Sequence, residues 1–311
     1  MKFKVTAVFA LLVLSTYSAN AAPVSKVVKV VAAKPIATVT LSGAAGDQFF
    51  GATTSPGSIV YVGTVESGTT TALGLSDGYV SAISPTGSRQ WELRLGTALD
   101  DIATAILRDK TGNYWVLGAT SQPTPAVAIA PVQPSINPDS ATVETTTAPV
   151  TFNRVLLWKL SASGALLATY QYDSSQELYP KTLTLGATAL TITGDLADGS
   201  SFSLQSDFNG EFTGFATLTS KPAVAPPITI TKAGTYTYKS FISKGTIIGI
   251  PSWKPKTPTP VIVEYNKANT LKAAFSLKGN VTNRIWQAGI GLIVISDLGS
   301  STAIYALPLL P

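Results

Sequence analysis

The strongest constraint on this chain is a phrase of sequence that it repeats. An apolar strand ends in glycine, a polar loop follows, and then come a second strand, a tight turn and a third strand. The clearest copies of the opening are Gly57-Ser-Ile-Val-Tyr-Val-Gly63 and Gly112-Asn-Tyr-Trp-Val-Leu-Gly118. A repeat of this size decides architecture before any single residue is weighed. Each copy is one supersecondary unit that buries its apolar face only against its neighbours.

The turns set the frame of the repeat. They are Ser84-Pro-Thr-Gly87, Ser161-Ala-Ser-Gly164, Asp207-Phe-Asn-Gly210 and Asn266-Lys-Ala-Asn269. Each starts with a side chain that can bond the turn backbone and ends with a residue that tolerates positive φ. An alternating strand follows each one, as in Gln90-Trp-Glu-Leu-Arg-Leu-Gly96. First strands are expected near Phe49–Thr54, Ile102–Leu107 and Leu178–Leu185. Further second strands are expected at Leu190–Gly194, Thr246–Ile250 and Leu292–Ser296. Helical periodicity is nearly absent, so the chain reads as all-β. Four antiparallel strands per roughly 45–60 residues fit a propeller blade.

The fifth unit ends after its third strand, Ala303–Leu307. Its missing fourth strand matches the N-terminal Ile36-Ala-Thr-Val-Thr-Leu-Ser-Gly43. An N-terminal strand that completes the last blade closes the ring and removes an exposed sheet edge. The expectation is therefore a β-propeller of five four-stranded blades, spanning residues 36–311 and closed by its N-terminal strand. A signal peptide is expected over 1–21 and an N-terminal linker over 22–35. A Pro/Thr-rich insertion falls at 122–151.

These stretches carry a family resemblance. Gly46-Asp47-Gln-Phe-Phe-Gly-Ala-Thr, then Val-Tyr-Val-Gly63, then Asp77-Gly-Tyr-Val-Ser-Ala-Ile-Ser-Pro-Thr-Gly87 resemble the bacterial exported β-propeller repeats often called SBBP repeats. The likeness is good over Gly46–Gly96 and Asp100–Gly118 and looser up to Thr219. Pro251 stands where the repeat has glycine, and no acid opens the fourth and fifth units. The resemblance implies a scaffold and an exported protein, and assigns no activity.

Lys2 and Lys4, the apolar Val5–Leu14 and Ala19-Asn20-Ala21 form a secretory signal pattern. The apolar stretch is shorter than the about 20 residues that cross a bilayer. A secreted or envelope-associated monomer without a membrane span is expected after cleavage. The chain has no cysteine and no histidine, and its one methionine is the first residue. That removes Ser-His-Asp and Cys-His catalysis and the commonest zinc sites. No cofactor motif is present, and no metal site or cofactor is expected. The net charge of +5 is uneven: residues 22–211 carry 10 Lys/Arg against 15 Asp/Glu, and residues 212–311 carry 10 against 2. A basic C-terminal third suits an anionic polysaccharide or solvated outer strands. Nucleic acid is not expected as a partner, since five arginines are few.

Two sets of residues are candidates for function. Asp47, Asp101 and Glu177 each open an innermost strand of successive units. If they converge at the axis they offer the paired carboxylates of a glycoside hydrolase. If each instead bonds the amides of its own turn, the role is structural. Trp253, Lys254 and Lys256 share a Pro-rich loop of the fourth unit and are the candidate ligand contacts, together with residues between Tyr61 and Ser76. Long loops on one face are where such scaffolds carry binding. The expected function is noncatalytic binding of a glycan or envelope protein. A carboxylate-dependent hydrolase and a structural envelope protein are the alternatives.

Overall fold

The computed structural model describes residues 27–39, 48–66, 73–121, 152–218, 229–233, 236–287, 291–299 and 301–307. Two short strands come first, β1 (Val30–Ala32) and β2 (Ala37–Val39). The first sheet is β3 (Gln48–Ser55), β4 (Ser58–Glu66), β5 (Ser76–Ile83) and β6 (Arg89–Leu95). The second is β7 (Asp101–Arg108), β8 (Tyr114–Thr120), β9 (Arg154–Leu160) and β10 (Leu166–Asp173). The third is β11 (Leu178–Leu185), β12 (Ala189–Leu196), β13 (Ser201–Asp207) and β14 (Phe212–Leu218). The fourth is β15 (Thr229–Ala233), β16 (Tyr236–Ser243), β17 (Thr259–Tyr265) and β18 (Leu271–Ser276). The fifth is β19 (Asn280–Gln287), β20 (Gly291–Asp297) and β21 (Thr302–Leu307), with β2 antiparallel on β21 as its fourth strand.

Within each sheet, strands that follow one another in the chain pair antiparallel, and the sheets pack through apolar faces. One core joins sheets 1 and 2 around Val60, Val80, Tyr114 and Trp158. Another joins sheets 2 and 3 around Leu117, Ile192, Phe202 and Leu204. Sheets 4 and 5 share Tyr238, Ile262, Val294 and Tyr305, and sheets 5 and 1 share Ile293, Ile304, Phe49 and Tyr61. Five up-and-down sheets, four neighbouring pairs of which share such cores, are the blades of a β-propeller. Among the described residues no helix is long and apolar enough to cross a membrane.

The glycine that closes the repeated phrase has a structural cause. In sheets 1, 2 and 3 the first strand carries a bulge, between Phe49 and Gly51, Ala103 and Ala105, and Pro180 and Thr182. Each bulge sits opposite the phrase glycine: Gly63, Gly118 or Gly194. A Cβ there would lie 2.0 Å from the Gln48 carbonyl oxygen, 2.1 Å from that of Ile102 and 2.1 Å from that of Tyr179. In these three sheets the bulge drives a carbonyl against the facing Cα, and a Cβ there would clash with it. The fifth sheet has the same bulge between Val281 and Asn283, opposite Ser296, whose hydroxyl donates to the Lys278 carbonyl.

The fourth sheet departs from the pattern. Its first two strands pair without a shift, and β16 contains no glycine. The expected second strand at Thr246–Ile250 is therefore corrected to Tyr236–Ser243. Thr246–Ile250 instead lies in the β16–β17 loop, where Ile250 N–H donates to the Ile247 carbonyl in a tight turn. Ile247 and Ile250 pack with Val261, Val263 and Ala274. These strand positions alternate with those facing sheet 5, so the loop covers the opposite face of sheet 4.

The four hairpin turns form as expected. Gly87, Gly164, Gly210 and Asn269 all have positive φ. Ser84 Oγ, Ser161 Oγ, Asp207 Oδ1 and Asn266 Oδ1 each accept the backbone N–H four residues on. Val30–Ala32 falls in the stretch read as linker, and it adds to β18 as a parallel fifth strand. Parallel pairing across more than two hundred residues leaves no local trace in sequence.

Candidate functional site

Asp101 begins β7 and is fully buried. Its Oδ2 accepts from the Thr97 N–H at 2.6 Å and from Thr97 Oγ1 at 3.0 Å, which closes the turn leading into β7. Oδ1 is buried with no hydrogen-bond partner among the described residues. Burial pushes this carboxyl up, the Thr97 amide pulls it back, and the nearby Asp77 carboxylate adds to the rise. Asp77 is itself fully buried, accepts from Leu73 N–H and Gly74 N–H, and pairs with Arg94 at 2.9 Å.

Glu177 is half-buried before β11 and accepts from the Tyr179 hydroxyl at 2.6 Å. The carboxylate that Asp101 feels is Asp77, one sheet back, while Glu177 is held by its own strand. Asp47 lies outside the described residues. The structure thus gives Asp101 and Glu177 local partners and does not pair them with each other.

The loop of the fourth unit is well described. Trp253 is half-buried, packs on the Ile247, Ile250 and Val261 cluster, and donates its indole N–H to Ser243 Oγ at 3.0 Å. Lys254 and Lys256 beside it are exposed. Of the other loop, Tyr61 is buried core and Ser76 Oγ donates to Asp100 Oδ1 at 2.9 Å. Residues 67–72 and the insertion at 122–151 lie outside the described residues.

A cavity of 280 Å³ opens between sheets 2 and 3. Its rim comes from short turns: Asp109 and Lys110 between β7 and β8, Leu185 and Gly186 at the end of β11, and Phe208 after β13. Lys159 of β9 completes it. Trp115 lies beneath, fully buried and stacked on Tyr170 with centroids 6.0 Å apart. Its indole N–H donates to Asp109 Oδ2 at 2.9 Å, and the Lys159 ammonium sits 4.8 Å from the ring. The hydrogen bonds Asp109 accepts outweigh its burial and hold its carboxyl below the usual range.

Sequence reasoning missed this site, although a signal existed. Lys159 is the one charge inside the apolar run Val155–Leu160. Glu264 stands out the same way in Val261–Tyr265, and it is fully buried with neither oxygen hydrogen-bonded among the described residues. Among the described residues no group of three or more His, Cys, Asp or Glu could hold a metal.

Neither a family description nor a curated protein matches the sequence. Among solved structures the chain is similar to the exo-β-1,3-galactanase of Phanerochaete chrysosporium, at 9% identity and a TM-score of 0.39. That match covers 89% of this chain and 64% of the galactanase. A protein of unknown function from Bacteroides caccae matches at 9% identity and a TM-score of 0.36, over 80% of this chain and 70% of that one. The Pan2 WD40 domain of Neurospora crassa matches at 11% identity and a TM-score of 0.36, over 89% and 96%. Likenesses this distant carry no argument about ligand or activity.

Proposed function

We propose that this protein is an exported, noncatalytic β-propeller that binds a glycan at the cell envelope, acting as a monomer whose ring β2 closes. The observation that carries the noncatalytic part is the use made of the acids. Asp101 Oδ2 is tied to Thr97, and Glu177 is tied to Tyr179. A glycosidase needs an acid and a base facing each other across the scissile bond. The signal pattern at the N-terminus and the resemblance to SBBP repeats support export. The pairing of β2 with β21 and the core shared by sheets 5 and 1 support ring closure. The exposed Lys254 and Lys256 offer cationic contacts to an acidic chain.

One observation favours the second reading, a carboxylate-dependent hydrolase. Asp101 keeps a raised carboxyl with one unpartnered oxygen, which is how a general acid is prepared. The test is incubation of the purified protein with neutral and acidic polysaccharides, scoring retention and new reducing ends. Retention without reducing ends is the expected result. Reducing ends that disappear in Asp101→Asn would replace the binding reading with the hydrolase.

A further inference from the structure

The cavity between sheets 2 and 3 is distinct from the acids at the strand starts and from the Trp253 loop. We infer that it binds one carboxylated six-membered ring, with the carboxylate between Lys110 and Lys159 and the ring's apolar face on Phe208 and Leu185. This names a site and a ligand class for the noncatalytic binding proposed above, and rests on that reading.

Size is the first argument. Pockets for drug-sized ligands run to about 300–1,000 Å³. At 280 Å³ the cavity holds a single ring rather than a run of polymer.

Charge is the second. Four ion pairs are present among the described residues: Arg89 with Glu92, Arg94 with Asp77, Arg154 with Asp173, and Lys181 with Asp195. Neither cavity lysine takes part in one. Lys159 is held over the Trp115 ring, a contact that occupies one side of the ammonium and leaves the donors on its other side for a ligand. The ring cannot drift, because Asp109 and Tyr170 hold it from the edge and the face. A preorganised ammonium loses little freedom on binding.

Asp109 on the same rim would repel an anion if its oxygens faced the cavity. They are committed elsewhere. Oδ1 accepts from Thr111 N–H, Thr111 Oγ1 and Asn113 N–H, and Oδ2 accepts from Trp115. The rim therefore carries two cations, with its one anion directed into its own turn.

The apolar wall is the third argument. Phe208 is held 6.2 Å from Trp115 and is half-buried, and Leu185 on the same wall is 36% exposed. Simple anions such as phosphate gain nothing from such a wall. A ring with a carboxylate at one end and C–H or π surface on its face uses both halves. Uronate sugars and aromatic carboxylates share that chemistry.

The experiment is a ligand-detected NMR titration of the full chain at low salt with sodium glucuronate and sodium benzoate, with glucose and inorganic phosphate as controls. Saturable binding of at least one carboxylate, with none of glucose, is expected. Lys159→Met should weaken it about tenfold or more, the size of one lost charge-assisted hydrogen bond. Lys110→Gln, on an exposed turn where folding is not at risk, should weaken it severalfold. A Lys267→Gln protein, changed at an exposed turn of the fourth sheet, should bind as the unchanged chain does. Which carboxylate binds identifies the source, sugar or aromatic. Binding of neither, equal binding of phosphate, or indifference to both lysine variants overturns the inference. Polysaccharide retention by a protein that binds neither carboxylate would overturn the cavity and leave the noncatalytic reading standing. Reducing ends lost in Asp101→Asn would do the reverse.

Discussion

Replacing Glu264 by Gln should free the stability of the protein from a pH dependence that one side chain imposes. Glu264 sits in β17 with Tyr238 and Ala273 as its ladder neighbours, and both belong to the core between sheets 4 and 5. It is fully buried and neither oxygen has a hydrogen-bond partner among the described residues. Burial pushes its carboxyl up from the ordinary value of 4.5, and the adjacent Tyr238 hydroxyl opposes this only in part. The folded state therefore holds a proton that the unfolded chain releases. The stability that Glu264 contributes is fully present below pH 4.5 and is lost as pH rises from there through the folded value, at up to about 1.4 kcal/mol per pH unit. A domain holds only about 5–15 kcal/mol in total, so a drop of this size is measurable. Gln copies the neutral carboxyl, one acceptor and one N–H donor in place of O–H, and does not ionise. Urea midpoints of the two proteins should coincide near pH 4 and diverge as pH rises to 8, with Glu264→Gln the more stable. Asp101, also pushed up, titrates in both proteins and cancels in the difference. Parallel curves from pH 4 to 8 would mean that the carboxylate is solvated or paired, and would refute the reasoning.

Three further substitutions test the scaffold. Arg94→Met should cost about 3 kcal/mol by leaving the Asp77 charge buried and unpaired, with part recovered when Asp77→Asn is added; urea titration of the single and double variants reads it. Gly118→Ala should cost more than about 2 kcal/mol, since its Cβ would meet the Ile102 carbonyl and the Trp158 ring at 2.4 Å. Gly57→Ala, which meets nothing and strains only its φ of 75°, should cost about 1 kcal/mol, and thermal unfolding compares the two. Trp115→Phe should cost about 1–2 kcal/mol by removing the donor to Asp109 Oδ2, seen as a lowered urea midpoint with the fold retained by circular dichroism.

The blades were legible because their signals are local. A turn such as Asp207–Gly210 declares itself through one capping side chain and one positive-φ position, and both do in the structure what the spacing implies. The phrase glycine was legible as a mark of the repeat but not as a consequence of the facing bulge. That gap explains the misplaced strand of the fourth unit. The repeat's glycine points to Thr246–Ile250, which carries Gly249, as the second strand. Without a bulge in β15 no glycine is required, and the real strand, Tyr236–Ser243, carries none. The bulge accounts for the glycine of the first three sheets, while the fifth sheet sets Ser296 opposite its bulge, with the hydroxyl donating to the Lys278 carbonyl.

The candidate site obeys the opposite logic. Lys110, Leu185 and Phe208 each sit in or beside a short turn whose local sequence says only that the chain reverses. Their meeting depends on the packing of sheet 3 against sheet 2, set by Leu157, Leu190 and the buried Trp115. Such a site exists only between blades, so no window of sequence short enough to hold one blade contains it. What a window does contain is the anomaly left behind, a lysine in a strand otherwise apolar from Val155 to Leu160. Burying a charged head is costly unless something faces it. Lys159 finds Trp115 on one side and open cavity on the other. Charges that interrupt buried strands are thus the better guide in a repeat scaffold. Asp101 at a strand start closes its own turn through Thr97, whereas Lys159 and Glu264 interrupt strands that are otherwise apolar.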